Sequence, residues 1–105
     1  MDNANETIPR SRTGIDVYNS EGHAEMEKGN LIGSRKLFEK VVDIREYHLT
    51  NAPYSSRVDV ADAHRKAAYV LNRIINQLNG ANNALTTKYT TESENHIIRA
   101  TQLLS

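Results

Sequence analysis

RVDVADAHRKAAYVLNRIINQLN, residues 57–79, is the stretch whose reading decides the fold. Val60, His64, Ala67, Leu71, Ile74 and Leu78 recur at steps of four and three. That spacing places side chains on one face of an α-helix. Ala68 and Ile75 widen the stripe, so the segment predicts a helix buried along one full face. Ser56 followed three residues later by Asp59 supplies a capping pair at its start, and Gly80 stops it.

Upstream, residues 31–46 repeat the pattern. Leu31, Ser34, Leu37, Phe38, Val41, Val42 and Ile44 fall at helical spacing, with Arg35, Glu39 and Asp43 on the other face. YHLTNAPYSS, residues 47–56, predicts a loop, because Pro53 lacks a donor and pushes Ala52 from helical angles. Before these, Thr13 and Asp16 form a capping pair for a helix over residues 14–28 with a weak stripe. Gly29 and Asn30 mark a stop and turn. Residues 1–12 are polar and predict a disordered tail, leaving residues 13–105 as a single helical domain.

Downstream, GANNALTTKY reads as polar and turn-prone, although residues 81–85 could extend a helix. Thr91 and Glu94 match a capping box, which predicts a fourth helix from there to about residue 104. Ile97, Ala100, Thr101 and Leu104 are its expected core positions.

Composition narrows the function. One domain's worth of chain, 105 residues, contains 38% hydrophobic and 6% aromatic residues, so the core rests on Leu, Ile, Val and Ala. The absence of cysteine excludes disulfides, thiolate metal sites and thiol nucleophiles. Thirteen basic residues balance thirteen acidic ones, which disfavours nucleic acid as a partner. No stretch approaches the ~20 apolar residues that span a bilayer. The opening residues have no apolar run of the signal-peptide kind, so a cytoplasmic location is expected.

Residues 15–48 resemble a tetratricopeptide repeat, a helix–turn–helix of about 34 residues with small and large apolar residues at fixed places. Tyr18 takes the first aromatic position, Gly22 the small residue where the helices cross, and Gly29 the turn. Leu31, Ser34, Phe38 and Val41 fill the second helix. Glu21, Glu25 and Val41 depart from the family's usual residues, and the closing Pro is missing. A looser likeness covers residues 57–104, through Ala67 or Ala68, Ser93, Ile97 and Ala100. The resemblance implies an all-α, tetratricopeptide-repeat-like bundle of four main helices in two antiparallel hairpins. It also implies a binding groove lined by first-helix side chains. Some members hold a C-terminal carboxylate with Lys and Asn. Asn19 and His23 stand at those positions here, which does not fit that activity.

The resulting expectation is a protein–protein interaction module, an adaptor or chaperone-like or inhibitory binder. Its partner is a protein, a peptide or a second copy of itself. Tyr18, Asn19, His23, Met26, Arg65, Tyr69 and Arg73 are the candidate partner-binding residues. No catalytic residue, cofactor or metal is expected. The five glycines never cluster into a phosphate loop, and the four histidines lack metalloprotease spacing. Glu92 and His96 read as a surface pair, and His64 as a hydrogen-bonded core histidine whose burial would make binding pH-sensitive. Charge is uneven. Residues 14–30 carry four acids against one base, and residues 57–88 five bases against two acids. This basic third helix keeps a nucleic-acid-associated regulator as the alternative.

Overall fold

The computed structural model describes residues 12–51, 56–78, 80–81 and 83–105, the side chains at 12, 13 and 83 excepted. It is all-helical: α1 (Arg12–Glu27), α2 (Leu31–Asn51), α3 (Arg57–Leu78) and α4 (Asn83–Leu104). The expected tail falls outside the described residues, apart from Arg12, which opens α1. Thr13 therefore lies inside the helix.

Each helix packs on the next in sequence. The pairings run antiparallel: Gly22 meets Ser34 and Phe38, Arg45 meets Asp59, and Asn72 meets Ser93. The links are short because their chemistry is specific. Gly29 takes φ +88°, and the amides of Gly29 and Asn30 return to the carbonyls of Met26 and Glu25 at 3.0 and 2.9 Å. This closes α1 with a left-handed cap. Asn30 then opens α2, its Oδ1 accepting from the Gly33 amide at 3.1 Å. Ser56 and Asp59 cap α3 reciprocally, as their spacing predicts. The Ser56 amide donates to Asp59 Oδ2 at 3.2 Å, and the Asp59 amide to Ser56 Oγ at 3.1 Å. At the far end of the chain, Arg57 donates to the carbonyls of Leu103 and Gln102, satisfying the last turn of α4.

Helix α3 is central. Val60, Ala67, Val70 and Leu71 have no exposed surface, and Ala61, Ala63, Ala68 and Ile74 are buried with them. More than one face is covered, because α2 and α4 flank it. Three apolar clusters lie along it. Ile15, Val41, Val42 and Ile44 meet Ala63 and Ala67. Leu31, Phe38 and Tyr89 meet Val70, Leu71 and Ile74. Ala100 and Leu103 meet Val60 and Ala61.

Two expectations are corrected. Helix α2 continues through residues 47–51, where a loop was expected, and buries His48 to 1% exposure. A proline restricts only the residue immediately before it, which leaves residues 47–51 able to be helical, and Ile44 and His48 keep the four-residue step. Residues 52–55 of the expected loop lie outside the described residues. Helix α4 begins at Asn83, eight residues before the Thr91 box, so Thr91 is an exposed mid-helix residue. Its buried face is Tyr89, Ser93, Ala100 and Leu103. Ile97 (46% exposed), Thr101 and Leu104 (43%) face outward with Ile98. Among the described residues no helix is long and apolar enough to cross a membrane.

Candidate functional site

A groove of about 450 Å³ runs between α1 and α3 over a floor made by α2. One wall is Asn19, His23 and Met26, which are four and three residues apart and so share a face of α1. The other wall is Asp59, Asp62, Lys66 and Tyr69 on α3, at the same spacing, with Ala63 and Arg65 beside them. Phe38, Val41 and Arg45 form the floor. The His23 ring stands edge-on to Phe38, with centroids 5.2 Å apart. Walls with polar tips and an apolar base are the usual make-up of a binding cleft.

Five of the seven sequence candidates, Asn19, His23, Met26, Arg65 and Tyr69, meet in this groove. Tyr18 lies on the crossing face of α1, half-buried against the Ile15–Val41 cluster, with Lys40 Nζ 5.1 Å above its ring. Arg73 is exposed on α3 beyond the groove lining. Arg45, Asp59, Asp62 and Lys66 join the five in the lining, beyond the seven candidates. The α3 residues were legible as a second, polar stripe at helical spacing, whereas Arg45 needed the three-helix arrangement.

Polar groups in the groove are unevenly matched. Arg45 lies 3.9 Å from Asp59, and Arg65 lies 3.8 Å from Asp62. Tyr69 is 57% exposed. Asn19 Oδ1 is buried without a hydrogen-bond partner. Such an orphaned acceptor costs about 1–3 kcal/mol when no donor reaches it.

A second polar cluster lies on the other side of the molecule, where α4 approaches α2 beside α3. His64 Nδ1 and His96 Nδ1 are 2.7 Å apart. His64 Nε2 lies 2.7 Å from Glu46 Oε2, and His96 Nε2 lies 2.7 Å from Glu39 Oε2. Arg99 donates through Nε and Nη2 to the two oxygens of Glu46 at 2.8 and 2.9 Å. The Arg99 bonds, followed by that to His64, hold the Glu46 carboxyl down at about 2 against burial. Asp43 is pushed above the usual carboxylate range by burial and by Glu39. The expected Glu92–His96 pair is not made. Glu92 instead accepts from Arg35 at 2.7 Å, and His96 turns inward to Glu39 and His64. Among the described residues no three His, Asp or Glu side chains converge as metal ligands.

No family model, curated protein or solved structure matches this chain.

Proposed function

We propose that this chain is a protein-interaction module, similar in arrangement to a pair of tetratricopeptide repeats, that holds a partner's peptide or helix in the groove between α1 and α3. The observation that carries the reading is the groove itself, in which Asn19, His23 and Met26 of α1 face Asp62, Lys66 and Tyr69 of α3 across an apolar floor. Met26 and Tyr69 on the facing walls supply apolar contact, and Lys66 and Asp62 supply polar contact at the lip.

The arrangement of the first two helices supports the repeat likeness. Gly22 and Ser34, at the small positions, sit at the α1–α2 contact, where Ser34 Oγ donates to the Gly22 carbonyl at 2.9 Å. The groove runs along the first helix of each proposed hairpin. Nucleic acid is the weaker reading, because Asp62 lies against Arg65 and offsets the positive face of α3. A second copy as partner is favoured by the outward row of Ile97, Ile98 and Leu104 on α4.

Selection of peptides from a random display library tests the groove. Bound sequences that lose affinity with Met26→Glu and with Tyr69→Ala, in proteins that melt as the parent does, support it. Peptides indifferent to both substitutions refute it.

A further inference from the structure

The row Glu39–His96–His64–Glu46 joins all three helices of the α2, α3 and α4 layer, and its hydrogen count is fixed by geometry. Three contacts of 2.7 Å link four groups, and each needs one hydrogen between its two heavy atoms. Two neutral imidazoles carry two such hydrogens, and carboxylates carry none. With two, at least one contact brings lone pair against lone pair. The row therefore holds three. Glu46 cannot supply the third, since both its oxygens already accept from Arg99. The extra proton belongs to the two rings and Glu39.

We propose that this third proton is a clasp that fastens α4 to α2 across α3, making the cohesion of that layer depend on pH through the histidine range. The side chains bridging α2 and α4 are Arg35 with Glu92, Glu39 with His96, and Glu46 with Arg99. The clasp is nearly dry, with His64 and His96 side chains 8% and 12% exposed. The charged groups around it are Arg35, Glu39, Asp43 and Glu46 from α2, with Lys36 and Lys40 bordering the hollow between α2 and α4 that His96 lines, and Glu92 and Arg99 from α4. Helix α3 contributes His64 itself. A metal ion would be the other way to fill a gap between two Nδ1 atoms. At 2.7 Å the atoms are at hydrogen-bond separation, and among the described residues no third ligand converges on them.

The direction with pH follows from proton numbers. The folded row holds three protons. In the unfolded chain the same two histidines hold nearly four well below their ordinary value of about 6.5, three near it, and two well above it. The folded state thus releases a proton relative to the unfolded state on the acid side and retains one on the alkaline side. The row stabilises most near pH ~6.5, and the unfolding constant rises on either side, by a slope approaching about tenfold per pH unit.

The test is urea denaturation of the full chain at pH values from about 5 to about 8.5, a range centred on the ordinary histidine value. Wild type, His96→Gln and His64→Gln are compared, with nitrogen-detected ring spectra of the wild type at the stability maximum. The proposal expects a maximum that flattens in both variants and three ring-bound or shared protons in the wild-type spectra. The spectra decide the matter even if a variant does not fold. Two neutral rings at the maximum, or a wild-type profile flat across the histidine range, would overturn it. So would a rise in melting temperature with zinc ions alone that His96→Gln abolishes, since a metal would then be the natural occupant of the gap.

Discussion

The hydroxyl of Ser34 donates to the carbonyl of Gly22 at 2.9 Å, fully buried, where α1 and α2 touch. The contact is close because residue 22 has no side chain. A Cβ there would lie 2.8 Å from Phe38 Cε1, and Phe38 is 1% exposed with little room to retreat. Gly22→Ala is expected to destabilise the protein by about 1–3 kcal/mol despite the better helix propensity of alanine. Ser34→Ala is expected to cost about 1 kcal/mol. Chemical denaturation of each variant measures both.

The register of α4 gives a sharper contrast between neighbours. Leu103 is 2% exposed against Val60 and Ala61, and Leu104 is 43% exposed. Leu103→Ala should lose about 2–4 kcal/mol. Leu104→Ala should stay within about 0.5 kcal/mol of the parent. A pair of thermal melts distinguishes them.

Where the sequence was legible, a single periodic signal and its punctuation agreed. In α3 the stripe from Val60 to Ile74, the Ser56–Asp59 cap and the stop at Gly80 all point to one helix. In α4 two signals disagreed. Thr91 and Glu94 looked like a start, but Leu85 and Tyr89 pack into the Leu71 cluster and draw the helix back to Asn83. A local capping pattern yields to burial of an aromatic ring two residues before it. Ile97 misled for a related reason. It is large and apolar, yet the neighbouring position, His96, faces inward because Glu39 and His64 wait for it. The groove wall on α1 was legible from spacing. The polar stripe of Asp59, Asp62 and Lys66 on α3 was legible from spacing too, but that it faces α1 required knowing that α1 and α3 lie side by side over α2.

Glu46 contributes an acid-labile part of the stability. Arg99, followed by His64, holds its carboxyl at about 2, below the ordinary carboxylate value. A depressed carboxylate stabilises the fold above its unfolded value of about 4.3, and that contribution drains away as pH falls toward about 2. Glu46→Gln should therefore lower stability at pH 7 by about 1–2 kcal/mol, allowing for partial solvent screening. The gap between variant and parent should close in strong acid. Denaturation at a series of acid pH values follows it.

Asp43 works in the opposite sense. Partial covering of the carboxyl, and then the neighbouring Glu39, raise it, although the residue as a whole stays largely exposed. The ionised form is disfavoured in the fold, so its contribution worsens as pH rises through the folded value. Asp43→Asn is expected to stabilise the protein at neutral pH by a few tenths of a kcal/mol, a small gain because the residue is solvent-exposed. The gain should vanish at acid pH, where the parent carboxyl is protonated, and paired melts at the two pH values read this out.

The central claim is that the groove between α1 and α3 is where a partner binds. Amide and side-chain chemical-shift mapping with a display-selected peptide tests it most directly. The account predicts that the largest shifts fall on Asn19, Met26, Lys66 and Tyr69, with the Asn19 side-chain amide among them. Shifts confined to the Ile97, Ile98 and Leu104 face of α4, with the groove silent, would contradict it.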